Sequence, residues 1–299
     1  MKIVHRSIRA FSSSAVVLGL STAAHAALYG NFVGPNISYI NVAENDSEIS
    51  GPPPVTTTPT ALFGAPVLSP PNSDNLAFQN LSFSSLAADG EFDLQDGKLN
   101  LDITPTSPSG SVDSLTFDEG GAWRVVGPAG DATAEATLLF NDLRITSVDN
   151  MTLTMPIIVL PTFTQSVTPQ DGPLPLPPLG GGPGDVTITS NNGDSDGIWD
   201  ITATFNLDAA LANADLAGDR ITGLSVALDN ELFTQTTSAQ TLTLADIDKK
   251  HFIITGTTTT GQTPPVPEPA SLSMLLGAGL LMMRSPRRAG RAKLATKKS

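Results

Sequence analysis

Along most of this chain apolar and polar residues alternate with a period of two. The alternation is visible in Asn36–Val42 (NISYINV), Leu76–Phe83 (LAFQNLSF), Glu91–Ile103 (EFDLQDGKLNLDI) and Ser114–Val126 (SLTFDEGGAWRVV). It continues through Ala136–Val148, Met151–Phe163, Val186–Ser190, Ile198–Leu207, Ile221–Leu228 and Phe252–Thr257. Such a period turns one set of side chains inward and the other outward, so these runs predict half-buried β-strands. Asp96-Gly97 and Glu119-Gly120-Gly121 lie between alternating runs. They predict turns, because glycine accommodates positive φ cheaply. Beyond Thr154 the Met151–Leu160 run is nearly all apolar, which predicts a central strand ended by Pro161. One helix is expected over Asp208–Leu216, with Asp208 as its cap. Many short strands with frequent turns predict an all-β fold, a β-sandwich or jelly-roll-like body with at most one short helix.

Two stretches break the alternation. Gly51–Pro71 is rich in proline and holds Thr56-Thr57-Thr58, and Pro169–Gly184 reads PQDGPLPLPPLGGGPG. Proline lacks the backbone donor that a central strand needs. The second stretch reads either as a boundary between two subdomains or as a long loop within one sandwich. Thr257–Thr260 with Gly261 ends the folded part and begins an extended spacer.

Charge is unevenly distributed. The 299 residues carry a formal −13, yet residues 27–262 hold 28 of the 29 acidic and six of the 16 basic residues, a formal −22. A body of that sign repels nucleic acid and anionic lipid and attracts divalent cations, which excludes nucleic acid as a partner. Cysteine is absent, so disulfides and thiol chemistry are excluded, and the body contains one histidine, His251. About 236 residues suffice for a sizeable core without staples. The chemistry left to the body belongs to carboxylates, hydroxyls and amides. His251, within Lys249–Ile254, reads as an ordinary residue at a strand entrance.

Within that chemistry, Asn191–Asp200 (NNGDSDGIWD) resembles the first part of a calcium loop. Asn192, Asp194 and Asp196 fall at positions one, three and five, Gly197 at six and Asp200 at nine. The twelfth position is Ala203, where a bidentate glutamate is expected, and a strand follows in place of a helix. The competing reading is a polar hairpin loop joining Val186–Ser190 to Ile198–Leu207. Glu91, Asp93 and Asp96, or Asp118 and Glu119, are paired carboxylates of the kind a glycosidase uses. Trp123 and Trp199 are candidates either to stack on a sugar or to fill the core. No G-x-S-x-G elbow is present, and His251 alone remains as a base for serine chemistry.

The two ends read as targeting segments. Lys2, Arg6 and Arg9 precede an apolar stretch over Ala15–Ala24 and then Ala24-His25-Ala26, a cleavage site of the A-x-A kind. Residues 1–26 are therefore expected to be a secretory signal peptide, handled by the Sec translocon and signal peptidase, with Ala27 the first mature residue. At the other end Pro267-Glu268-Pro269 follows a proline-rich spacer, and an apolar run from Leu272 to Met283 comes next. Arg284, Arg287, Arg288, Arg291, Lys293, Lys297 and Lys298 close the chain. Twelve helical residues span roughly 18 Å, short of a hydrocarbon core of about 30 Å, so weak and transient residence in the inner membrane is expected. The cations behind the run place that end in the cytoplasm.

In its order of Pro-Glu-Pro, short hydrophobic segment and arginines, this tail resembles the PEP-CTERM sorting tag of exported bacterial proteins. The matching residues are Val266–Ser271, the Leu/Gly/Ala/Met run, and Arg284, Arg287 and Arg288. The resemblance implies an exosortase-like protease as partner and delivery to the cell surface or extracellular matrix. The body resembles a group of exported proteins carrying the same tag, found among planctomycete-like bacteria. The matching pieces are Ile221–Leu224, Leu228–Leu232 and Asp248–Phe252. The expected organisation is a signal peptide (1–26), an acidic body (27–262), a spacer with the motif (263–269), a sorting segment (266–291) and a basic tail (292–299). The expected function is that of a non-catalytic surface or matrix protein without a cofactor. The alternatives are an extracellular polysaccharide-binding sandwich, with or without calcium, and a carboxylate-based glycoside hydrolase.

Overall fold

The computed structural model describes residues 25–51, 55–57, 61–171, 182–239 and 242–260. The strands in the first part of the chain are β1 (His25–Val33), β2 (Ile37–Ser50), β3 (Val55–Thr57), β4 (Pro66–Leu68), β5 (Asn75–Phe78) and β6 (Ser84–Ala88). Longer strands follow in β7 (Phe92–Pro105), β8 (Gly110–Gly127) and β9 (Ala132–Val148), then β10 (Met151–Ile158) and β11 (Thr162–Asp171). After β12 (Asp185–Thr189) and β13 (Gly193–Asn206) comes the helix α1 (Leu207–Asn213), and the described residues end with β14 (Ile221–Thr236) and β15 (Leu244–Thr260). The fold is all-β, as the alternation predicts.

The strands form two antiparallel sheets. One runs β1-β2-β7-β14-β9-β10, with β12 also on β9 and β3 also on β2. The other runs β11-β13-β8-β15-β5-β4, with β6 also on β15. Residues on the two inner faces make one hydrophobic cluster. Leu99, Leu101 and Ile103 of β7 and Val226 and Leu228 of β14 come from the first sheet. Phe117 and Trp123 of β8, Trp199 of β13 and Phe252 of β15 come from the second. Strands from before and after residues 169–184 pair in both sheets, β14 with β7 and β13 with β8. Those pairings make the body one folded unit on either side of that segment, most of which lies outside the described residues.

Several sequence expectations are corrected. Asp96-Gly97 and Glu119-Gly120-Gly121 are not turns; they lie within β7 and β8. Close packing calls for these glycines. A Cβ on Gly97 would stand 2.3 Å from the Phe83 ring, and one on Gly121 only 1.8 Å from the backbone oxygen of Asp248. The apolar run of β10 is an edge strand with Met151, Met155 and Ile158 exposed, whereas a central strand was expected. Pro156, which has no N–H to donate, sits where the register with β9 slips between Thr152 and Ile157. The helix is capped by Asn206, in place of Asp208. Asn206 is extended, and its Oδ1 accepts from Ala209 N at 3.0 Å. Asp149 and Asn150, both at positive φ, make the two-residue turn from β9 to β10.

Candidate functional site

The sorting motif Pro267, Glu268 and Pro269, the basic residues Arg284, Arg287 and Arg288, and Ala24 of the cleavage triplet lie outside the described residues. Ala26 and Ala27 stand in β1, in register with Asn45 and Glu44. Among the described residues no helix is long and apolar enough to cross a membrane.

The four calcium candidates are not brought together. Asp194, Asp196 and Asp200 belong to β13 and repeat along its outer face, where alternate residues are about 7 Å apart, too far to converge on one ion. Asp194 instead holds Arg124 through two hydrogen bonds of 3.0 and 2.6 Å, and this contact keeps its carboxyl below the usual range. Asn192 accepts from Ala129 N at 3.2 Å. The hairpin reading is corrected as well. β12 pairs with β9 in one sheet and β13 with β8 in the other, so Ser190–Asn192 carries the chain between sheets.

The carboxylate pairs separate for a simple reason. Neighbours on a strand face opposite ways. Glu119 points into the core while Asp118 points out, and Asp93 is buried while Asp96 lies on the outer face. Glu91 lies exposed just before β7, two positions from the buried Asp93. Trp123 and Trp199 are buried, their indole N–H groups donating to the carbonyls of Ile198 and Asp248. They fill the core and offer no face to a sugar.

Sequence separation hid the clusters that do form. On the outer face of the first sheet, Asp96 of β7 meets Asp229 and Glu231 of β14, with carboxylate oxygens within 4.8 Å of one another. Lys98 sits among them, its Nζ 2.6 Å from Asp96 and 3.2 Å from Asp229. Burial first, then the Asp96 carboxylate, pushes Asp229 up to about 6. The oxygens suit a hard cation, and in this arrangement the lysine serves as one. The link between residues 96 and 229 is the antiparallel register of β7 and β14, which local spacing does not carry.

A second cluster closes the chain over the core. Glu44 of β2 accepts from Phe63 N at 2.6 Å and from Tyr29 Oη, while its neighbour on the same face, Asp46, accepts from Leu62 N at 2.9 Å. The two carboxyls thus hold Leu62 and Phe63, both wholly buried, in place. Burial, then the hydrogen bond shared with Glu44, pushes Asp46 up to about 9. Asp46 and Asp229 bind their protons more tightly folded than unfolded. The folded state therefore holds the extra protons between about pH 4 and pH 9, and stability falls as pH rises through that window. His251, raised mainly by its Asp118 contact, acts in the same direction: its contribution is present below about pH 6.5 and is lost above. A lower melting temperature at pH 9 than at pH 5 is expected. Asp46→Asn should flatten the part of that decline above pH 6; an unchanged profile in the variant would remove Asp46 as its source.

On the outer face of the second sheet, His251 Nε2 lies 3.4 Å from Asp118, whose other oxygen accepts from Thr202 at 2.8 Å. Gly120 forms the floor, since a Cβ there would meet both Asp200 and His251 within 2.6 Å. The remaining cations are likewise engaged. Arg144 pairs with Asp142, Arg220 with Asp149, Lys250 with Asp248 and Lys249 with Glu119. All six cations of the body are therefore held in ion pairs.

One ion pair is internal. Lys249 and Glu119 have side chains with 0% exposure and meet at 2.8 Å. Asn230, also fully buried, donates to the same Glu119 oxygen at 2.6 Å and touches the ammonium through its own Oδ1. The rings of Phe83, Phe252 and Phe63 surround Nζ at 4.6, 5.7 and 5.8 Å. Glu119 and Lys249 belong to adjacent strands of the second sheet and Asn230 to the first, so the group spans the core. Of this site the sequence singled out Glu119 alone, and as the partner of Asp118 in an acid pair, not of Lys249 and Asn230. The local hint to the group as a whole is a lysine, Lys249, at an inward position of an alternating strand. Compared with protein-family models, with curated proteins and with solved structures, the chain matches none.

Proposed function

We propose that this is an exported, non-catalytic protein of the cell surface or extracellular matrix. It is sorted through its C-terminal tag by an exosortase-like protease after transient residence in the inner membrane. The observation that carries the reading of the body is the commitment of its side chains. Every body cation is consumed in an ion pair, both tryptophans are packed in the core, and Asp118 and Glu119, like Asp93 and Asp96, face opposite ways. What is left to face the surroundings is an acidic β-scaffold that repels anionic polymers and attracts divalent cations.

The tail supports the sorting half of the proposal. Its apolar run is too short for comfortable permanent residence, and the proline content of the spacer is expected to keep it out of helix and central strand, which suits a protease acting at Pro267–Pro269. Cutting there removes all seven tail cations and leaves the acidic body. Replacing Pro267, Glu268 and Pro269 with alanine is expected to hold the full-length form in the membrane fraction. Processing and release equal to wild type would reduce the triplet to a linker.

A further inference from the structure

The buried Lys249–Glu119–Asn230 group combines three elements that rarely meet inside a protein: a primary amine, a carboxamide and a carboxyl, all within hydrogen-bond contact and sealed from water. We propose that Lys249 and Asn230 become joined by an intramolecular amide bond, formed by the folded protein itself with Glu119 as proton shuttle.

The chemistry balances within the site. The Lys249 ammonium passes a proton to the Glu119 carboxylate it touches, leaving a neutral amine and a carboxylic acid. The amine lone pair attacks Cγ of Asn230, while the Glu119 acid hydrogen-bonds the carboxamide. In the tetrahedral adduct Nζ bears a surplus proton, and Glu119 relays one to Nδ2. The Cγ–Nδ2 bond then breaks and ammonia leaves. A Cγ–Nζ amide remains, and Glu119 keeps the proton it first received. No oxidant, metal or cofactor enters.

Four features of the site favour this outcome over a permanent ion pair. Burial, partly opposed by the Glu119 charge, weakens the hold of Lys249 on its proton, which supplies the nucleophilic amine. The reacting groups are held against each other by three strands, so the reaction is unimolecular and gains the effective concentration of a fixed pair. The phenylalanine cage excludes the water that would compete as nucleophile and would solvate the charges. A buried charge pair is costly unless all its lone pairs are satisfied, and Glu119 Oε1 makes no hydrogen bond. Converting the pair to a neutral amide and a neutral acid removes that cost.

The bond would have a clear structural purpose. Asn230 and Lys249 are 19 positions apart in the chain and lie on opposite sheets. Joining them clips the two sheets together through the core, in a chain that contains no cysteine to do so.

Intact-mass measurement of the purified, denatured full chain tests the proposal. The expected mass is lower than the sequence mass by one ammonia, about 17 Da, and peptide mapping should give one branched peptide containing Lys249 and Asn230. Glu119→Gln, which keeps the shape and removes the shuttle, should restore the full mass and melt about 10 °C lower, as expected for losing a cross-link that closes a loop of this size. Asn230→Asp should lose water in place of ammonia if it reacts. Full sequence mass in the wild type, with Lys249 free to an amine reagent after denaturation, would overturn the proposal, and so would ammonia loss mapped to other residues. If Glu119→Gln does not fold, the wild-type mass and map still decide.

Discussion

Gly121→Ala should abolish folding or lower stability by about 3 kcal/mol or more, an effect read from urea denaturation or from loss of soluble protein. Gly121 lies in β8 where β15 crosses close beside it, and its added Cβ would stand 1.8 Å from the Asp248 backbone oxygen. Backbone cannot move aside as a flexible side chain can. That same carbonyl accepts from Trp199 Nε1 at 3.1 Å, so displacing it also disturbs the indole at the centre of the core. The methyl group would therefore separate β8 from β15 along their length. A wild-type denaturation midpoint in Gly121→Ala would show that the two strands are not packed this closely.

Phe63→Ala should cost about 3–5 kcal/mol, the usual range for emptying a buried aromatic site. Phe63 is wholly buried and meets the rings of Phe83, Phe252 and Phe78 edge-on, with centroids 4.9, 5.2 and 5.5 Å away. Its backbone N–H is held by Glu44, so the position is fixed from both ends. The cavity would also open the cage around Lys249 to water, which raises the cost beyond the lost apolar contact. Calorimetry or urea titration at fixed pH reads the effect. A loss under about 1 kcal/mol would place Phe63 outside the core.

These two residues also mark where the sequence was legible and where it was not. Alternation revealed the strands because period-two burial is a local property, and Leu99–Ile103, Ile198–Phe205 and Leu224–Leu228 follow it. Glycine misled, because Gly97, Gly120 and Gly121 serve close approach in the sheet and not the reversal of a chain. The proline-rich stretch around Gly51–Pro71 reads as an interruption, yet Leu62 and Phe63 within it are among the most buried side chains. Their burial depends on Glu44 and Asp46, some 16–19 residues earlier, and no periodicity encodes that link. The calcium spacing matched a loop in the abstract, but the segment is already a strand, which spreads its oxygens along a line. The Lys249 group needed three strands in register before its members met, which is why three ordinary residues in the sequence became one site.

The most direct test of the proposed function is to determine both ends of the protein recovered outside the inner membrane of its native cell. Peptide mapping of that fraction is predicted to find a start at Ala27 and an end at or near Pro267–Pro269, with none of the seven tail cations retained. A chain running unbroken from Met1 to Ser299, in that fraction or only in the cytoplasm, would contradict it.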